Sequence, residues 1–253
     1  MPDYDAIILE RDGPTALIRL NLPEKHNAIS RQMSAELIAC LDTLEDDDGV
    51  RVVVLTGAGE KAFCAGADMA QAALEGDGPQ DFSKDWAAQA AIRLARLRKP
   101  LIGAINGYAY GGGAVFALQC DVRICSHDAK FRFVGAVYGL VVGASRLPSL
   151  VGNAMAKELI FTARTVDAEE ALRIGLANHI LPRVELESHV MKMAGQIAGH
   201  SLPALMASKE VIDIASGFRD AAKREFEHNV ELRQSAEHLA RFRAAAERVV
   251  RPD

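Results

Sequence analysis

The sequence has no surplus of positive charge. Its 253 residues include 29 Lys and Arg against 34 Asp and Glu, which gives a formal net charge of −5 and a pI of about 5.8. Proteins that bind nucleic acid collect Lys and Arg on one face to neutralise phosphates. We therefore expect no nucleic-acid partner, although a local basic pocket for a phosphorylated small molecule is compatible with this charge.

Long apolar runs and a secretory leader are also missing. No stretch approaches the roughly 18–20 apolar residues that span a bilayer, and the acidic start Met1–Asp5 does not resemble a signal peptide. The four cysteines, Cys40, Cys64, Cys120 and Cys125, lie in apolar contexts without disulfide-framework or zinc-ligand spacing. These absences predict a cytoplasmic protein with reduced, buried thiols, no membrane partner and no metal site.

The remaining composition is that of a globular protein with a large core, with 49% hydrophobic and 25% charged residues. Apolar and β-branched runs bounded by turn residues indicate strands. Strands are predicted at Ala6–Glu10, Ala16–Asn21, Val50–Gly57, Leu101–Asn106 and Val122–Ser126.

Helices are predicted between these strands. Met33, Leu37 and Leu44 recur at helical spacing, and Ser30 is a suitable N-cap for them. A second, short helix is predicted over Gly112–Cys120. The alternation of strands and helices favours an α/β fold with crossover connections.

After about residue 183 the pattern is helical, with apolar residues at helical spacing followed by a charged stretch from Ala221 to Val250. We predict an α/β core in residues 1–195 and a helical C-terminal oligomerisation region in residues 196–253. Such terminal helices pack against a neighbouring subunit or fold back onto their own chain, and the sequence leaves both arrangements open.

Two glycine-rich segments, residues 55–69 and 105–114, each follow a predicted buried strand. Gly66 permits backbone angles that turn the next N–H outward. The second segment opens a helix, whose first N–H groups lack intrahelical partners and carry the positive end of a dipole of about half a charge. Exposed N–H groups of this kind suit a developing oxyanion. Because a glycine run before a helix is often only a tight turn, the residues alone indicate no substrate.

Several segments, taken together, resemble the enoyl-CoA hydratase/isomerase (crotonase) family. They are residues 21–28, 62–69 and 106–113, followed by residues 158–163 and 168–178, in family order and at similar spacing over about residues 5–215. The resemblance implies a spiral core of ββα units and C-terminal helices that assemble homotrimers, often paired into hexamers. It also implies coenzyme A thioester substrates, with CoA bound as part of the substrate and no permanently bound cofactor.

The same resemblance assigns the site. Ala67 and Gly112 match the two oxyanion N–H groups, which stabilise a thioester enolate; losing one such donor typically raises the barrier by about 3–4 kcal/mol. The residues predicted to bind CoA are Lys25, His26, Ala28, Ala65, Asp68, Met69, Tyr108 and Gly111. For Asp68, bracing its own loop by accepting N–H bonds is the simpler role.

The sequence departs from the family where hydratases carry two glutamates. Val115 and Gly135 occupy those positions, and the following loop, residues 139–147, is shorter than usual. Tyr138 is the nearest candidate to replace a glutamate as a proton-transfer group, although an aromatic pocket wall is its simpler role. Arg146 is a candidate for binding a substrate carboxylate or for a structural ion pair.

Three functions remain open. The first is enoyl-CoA hydratase- or isomerase-like chemistry with an unidentified acid or base. The second is decarboxylation of a malonyl-type CoA, which leaves the same enolate without a general base. The third is non-catalytic binding of CoA esters on the same fold.

Overall fold

The computed structural model describes residues 4–74 and 85–250. The strands are β1 (Ile7–Asp12), β2 (Thr15–Leu20), β3 (Val52–Gly57), β4 (Ala62–Cys64), β5 (Leu101–Ile105), β6 (Tyr108–Tyr110), β7 (Val122–Ser126), β8 (Lys130–Arg132), β9 (Val166–Asp167) and β10 (His179–Leu181). The helices are α1 (Arg31–Asp46), α2 (Met69–Leu74), α3 (Trp86–Arg96), α4 (Gly112–Gln119), α5 (Leu147–Val151), α6 (Asn153–Thr162), α7 (Ala168–Arg173), α8 (Arg183–Ala198), α9 (Leu202–Ala215), α10 (Phe218–Leu232) and α11 (Ala236–Val250).

The strands form two sheets, in the orders β1-β2-β3-β5-β7-β10 and β4-β6-β8-β9. Along the chain, β3, β5 and β7 enter the first sheet, and β4, β6 and β8, which follow them, enter the second as parallel strands. Each pair of strands leads into a helix, so that β5, β6 and α4 form one unit. The expected α/β spiral of ββα units is confirmed.

The first sheet is covered on both faces, and β3 is consequently buried along its whole length. On one face, Val52 and Val54 pack with Leu186 and Val190 of α8. The other face packs in a larger core that includes α1, α3 and α4. Parallel strands buried on both faces carry continuous apolar runs, which is why β3 could be predicted from sequence.

The start of α1 is also as predicted, because the Ser30 side chain accepts a hydrogen bond of 3.0 Å from the Met33 N–H. Each glycine-rich segment also contains a three-residue strand of the second sheet that was not predicted, β4 in the first segment and β6 in the second. Strands this short show no readable alternation of polar and apolar residues. Helix α3 was not predicted either.

The C-terminal helices take one of the two arrangements left open by the sequence. Helix α8 packs on the first sheet, and the predicted division at residue 195 lies within it. Helix α11 returns to contact α2 and the 3-10 turn Gly135–Tyr138 of its own chain. The last helix therefore folds back onto the core; the division into two regions and the oligomeric state stay predictions.

Within residues 4–74 and 85–250, no helix combines the length and the hydropathy that crossing a bilayer requires. The same ranges contain no group of three or more His, Cys, Asp or Glu placed to hold a metal ion.

Candidate active site

The first predicted oxyanion segment runs alongside residues 26–29. The Ala65 N–H donates to the His26 carbonyl at 3.0 Å, and the Ile29 N–H donates to the Gly66 carbonyl at 2.7 Å. The Ala67 N–H takes no part in the hydrogen bonds between these two segments. Ala67 is exposed, and its N–H has no acceptor within the described ranges.

The second segment places Gly112 at the first turn of α4. Gly111 precedes it with φ +52°, a backbone angle that favours glycine. A Cβ atom on Gly113 would lie 2.0 Å from the Cys64 carbonyl oxygen, so the start of α4 is pressed against the end of β4. The Gly112 N–H likewise has no acceptor among the residues that the structure describes.

The structure brings the two predicted donors together. A Cβ atom on Gly66 would lie 3.1 Å from the Gly112 nitrogen, and one on Gly112 would lie 3.7 Å from the Ala67 nitrogen. Two unpartnered amides are thus neighbours at the ends of two short strands. Their common direction toward a substrate oxygen stays a prediction.

Two buried asparagines that the sequence reading missed hold these loops in place. Asn27 donates from its side chain to the carbonyls of Ala58 and Ala62, both at 2.9 Å. Asn106 donates to the Gly57 carbonyl at 2.8 Å and accepts from the Gly57 N–H at 3.2 Å. Asn27 adopts φ +55°, which asparagine tolerates better than most residues, and this preference was an available signal.

Lys25 and Asp68, both predicted on the CoA side, form an ion pair with 3.2 Å between Nζ and Oδ2. Asp68 is buried, and its Oδ1 also accepts from the Gln71 N–H at 3.0 Å in the first turn of α2. Asp68 therefore braces its own loop. Lys25 remains 56% exposed, so the pair itself adds little stability and leaves the ammonium at the surface.

The other predicted CoA-side residues fall into two groups. His26 and Ala65 are exposed and joined by the hydrogen bond above, with Ala28 half-buried and Met69 at the start of α2. Gly111 lies beside the second donor and opens α4.

Tyr108 belongs to a different surface, the strand β6 of the second sheet. Its ring stacks on that of Tyr110 with centroids 5.4 Å apart, and the Lys130 Nζ lies 5.6 Å from the Tyr108 ring centroid. These contacts account for the exposed tyrosine without a ligand. Its role in CoA binding stays a prediction.

The two positions that lack glutamates differ in the space they offer. Val115 is half-buried on α4. At Gly135, a Cβ atom would lie 2.7 Å from both the Leu140 carbonyl oxygen and the Val142 Cβ. The short loop of residues 139–147 thus fills the space of a side chain at position 135, and no carboxylate fits there with this backbone.

Helix α10 holds that loop. The Asn229 amide donates to the Val141 carbonyl at 2.7 Å and accepts from the Val141 N–H at 2.9 Å. Glu225 accepts from the Gly143 N–H at 2.9 Å and the Ser145 N–H at 2.7 Å. Burial raises the pKa of Glu225 above its ordinary value. Since both carboxylate oxygens accept loop N–H groups, Glu225 fixes the loop.

Tyr138, the predicted replacement for a glutamate, is half-buried in the same 3-10 turn as Gly135. Its carbonyl accepts a 2.6 Å hydrogen bond from Nδ1 of His238 on α11. Sequence reasoning missed His238, which lies 100 residues further along the chain. A role for the Tyr138 hydroxyl in proton transfer stays a prediction.

Two other candidates have structural roles. Arg146 is buried, forms an ion pair with Asp213 and lies over the Phe218 ring with its guanidinium carbon 4.2 Å from the centroid. Cys64 is fully buried, and burial raises the pKa of its thiol to about 12, which leaves it unreactive at neutral pH. The four cysteines are free and buried, as expected.

The ββα spiral and the two adjoining loops define a crotonase-type fold. The chain belongs to the enoyl-CoA hydratase/isomerase family, whose family model matches residues 10–248. This match extends past residue 215, where the motif resemblance ended, and therefore includes α11 up to residue 248.

Named relatives carry out chemistry on CoA thioesters. The short-chain-enoyl-CoA hydratase of Clostridium acetobutylicum is 38% identical, over 83% of this chain and 82% of the relative. The carnitinyl-CoA dehydratase of Proteus mirabilis is 41% identical, over 79% and 77%. The structure of a monofunctional enoyl-CoA isomerase from M. smegmatis superimposes with a TM-score of 0.72 at 33% identity, over 84% of this chain and 94% of that one.

Proposed function

We propose that this protein is an enzyme that forms the enolate of an acyl-CoA thioester and moves a proton on its acyl chain. The observation that carries the proposal is the pair of unpartnered amides at Ala67 and Gly112 on adjoining loops. Coenzyme A enters as part of the substrate, with Lys25 at the surface beside the first loop.

The chemistry follows from where charge develops. When a proton leaves the carbon next to a thioester carbonyl, negative charge builds on the carbonyl oxygen. Two fixed N–H donors stabilise that charge without reorganising, and removing one typically costs about 3–4 kcal/mol of barrier. Gly112 adds the positive end of α4 at the same place.

Moving a double bond is favoured over hydration. Hydration needs groups that activate water and protonate the α-carbon. The two positions at which we expect those groups hold Val115 and Gly135 in this chain, and the following loop fills the space beside Gly135. A shift of a double bond needs only one group that removes a proton from the second carbon and returns it to the fourth. A structure named as a monofunctional enoyl-CoA isomerase, from M. smegmatis, is among the similar chains at 33% identity.

The test uses exchange of the α-proton. The protein is incubated with a saturated acyl-CoA in D₂O, and with 3-hexenoyl-CoA and crotonyl-CoA in water. We expect deuterium at the α-carbon, conversion of the 3-enoyl to the 2-enoyl ester, and little hydration. Ala67→Pro removes one N–H and is expected to lower both rates by about 10²–10³-fold, whereas Ala67→Ser keeps the N–H and should stay near wild type.

Thermal unfolding of both variants controls for folding. If the wild type binds acyl-CoA by calorimetry but gives neither exchange nor turnover, the enzymatic proposal is wrong and the third function, non-catalytic binding of CoA esters, replaces it.

Decarboxylation is a second candidate, favoured by the filled space at Gly135. In that reaction the carboxylate leaves as CO₂, and the electron pair of the broken C–C bond forms the same enolate, so this step needs no base. Release of CO₂ from methylmalonyl-CoA, without isomerisation of 3-hexenoyl-CoA, would select it.

A further inference from the structure

His238 lies where the C-terminal helix meets the turn that has lost its glutamate. It sits in the first turn of α11, and its own N–H donates to the Ser235 hydroxyl at 3.1 Å. Only 4% of the residue is exposed. Helix α11 contacts both the turn Gly135–Tyr138 and α2, and α2 starts two residues after Ala67.

The hydrogen bond to Tyr138 fixes which ring nitrogen carries the hydrogen. A carbonyl oxygen can only accept, so the 2.6 Å contact makes Nδ1 the donor. In the neutral ring Nε2 then holds a lone pair. Nε2 has no hydrogen-bond partner in the part of the chain that the structure describes, and it is not among the fully enclosed unpartnered atoms there, so it keeps some accessible surface.

We propose that His238 is the group that takes the substrate proton and returns it, in place of the two glutamates that are missing at Val115 and Gly135. The proposal rests on the proposed function. It follows from three contacts: α11 against the turn of Gly135, α11 against the helix of the first oxyanion loop, and Nδ1 held by Tyr138.

The step balances with one base. Nε2 removes a proton from the carbon next to the thioester carbonyl of a 3-enoyl-CoA, and the C–H electron pair becomes the enolate, with its oxygen at the amides of Ala67 and Gly112. The imidazolium then returns the proton to the fourth carbon. The double bond moves to the 2,3 position, the carbonyl re-forms, and nothing is oxidised or reduced.

Burial favours the neutral form of His238 near pH 7. Burial is the main cause that lowers the pKa of its imidazole, and Arg233 lowers it further, whereas the Tyr138 carbonyl and Asp85 act in the opposite direction. Arg233 and Asp85 form an ion pair at the start of α3. Arg241 of α11 donates to the Val137 carbonyl in the turn Gly135–Tyr138. A neutral imidazole accepts protons, as the step requires.

The experiment compares His238→Gln with His228→Gln in the full-length protein. A glutamine amide can still donate to the Tyr138 carbonyl but cannot act as a base, and His228 is an exposed histidine on α10. We expect His238→Gln to lower kcat for 3-hexenoyl-CoA about 10²–10³-fold, with KM within about threefold of wild type. His228→Gln should match the wild type.

The pH profile separates a proton-transfer role from a structural one. Wild-type kcat/KM should fall on the acid side as one group becomes protonated, and His238→Gln should lose that limb. Added imidazole should partly restore His238→Ala. A wild-type profile with no acid limb, or His238→Gln with near-normal kcat, would overturn the assignment while the proposed function stands. A wild type that exchanges no α-proton overturns both.

Discussion

A methyl group at position 135 would meet two atoms of the loop that follows, the Leu140 carbonyl oxygen and the Val142 Cβ, each at 2.7 Å. The oxygen belongs to the backbone and cannot rotate away. This one glycine therefore lets the short loop close over the turn, which leaves no room for a side chain at position 135.

We expect Gly135→Ala to destabilise the fold by about 1–3 kcal/mol, the usual cost of overpacking a closed site. Urea unfolding followed by circular dichroism measures it. Gly195→Ala is the matched control, because Gly195 lies inside α8 with no atom within 4 Å of an added Cβ; this change should stabilise by about 0.5–1 kcal/mol. Equal unfolding midpoints for the two variants would contradict this prediction and show that the loop of residues 139–147 moves to make room for the methyl group.

His238 also predicts how stability depends on pH. Burial lowers the folded-state pKa of its imidazole below the ordinary value of 6.5, so the unfolded chain binds the proton more readily. The stability that His238 contributes is therefore present above about pH 6.5 and is lost as the pH falls toward the folded-state pKa. The unfolding free energy of wild type minus that of His238→Gln should decrease from pH 8 to pH 5; a constant difference would contradict this.

Among the elements, α10 and α11 determine the shape of the loop after β8. Asn229 and Glu225 together bind four backbone groups of residues 141–145. The loop itself is rich in small apolar residues.

We expect Asn229→Ala to loosen this loop, because two hydrogen bonds to Val141 are lost from a largely buried site. Hydrogen–deuterium exchange read by mass spectrometry should show faster exchange over residues 139–147. His228→Ala, next to it on the exposed side of α10, should leave that peptide unchanged. Unchanged protection in Asn229→Ala would mean that Glu225 alone secures the loop.

At the scale of the whole molecule, α9 has an apolar surface that the described residues of its own chain leave exposed. Val211, Ile212 and Ile214 are 64%, 66% and 60% exposed. Since α11 is packed on its own core, α9 is the part of the C-terminal region best suited to a second copy of the chain, in the homotrimer or dimer of trimers that we propose.

Light scattering should therefore give a mass of three or six times 27.3 kDa. Replacing Val211 and Ile212 with Asp should lower the measured mass toward the mass of one chain, because buried unpaired charges oppose association. Val184, which is 89% exposed on α8, serves as the control position for the same replacement. A wild-type monomer would exclude the assembly.

Sequence alone was sufficient wherever structure depends on neighbours along the chain. The buried run of β3, the Ser30 cap of α1 and the glycine-rich segments around Ala67 and Gly112 were predicted at their positions, because apolar runs, capping and backbone freedom are local properties. Family motifs supplied the spiral fold by resemblance. The three-residue strands β4 and β6 were not predicted, because pairing with distant strands, and not a pattern in their own sequence, makes them strands.

Only the tertiary structure decided which groups surround the turn of Gly135. It closed the loop of Leu140 and Val142 over Gly135, and it brought His238 to Tyr138 across 100 residues by folding α11 back onto the core. Such contacts depend on how whole helices pack against one another, and no pattern within either segment records which distant segment it will meet.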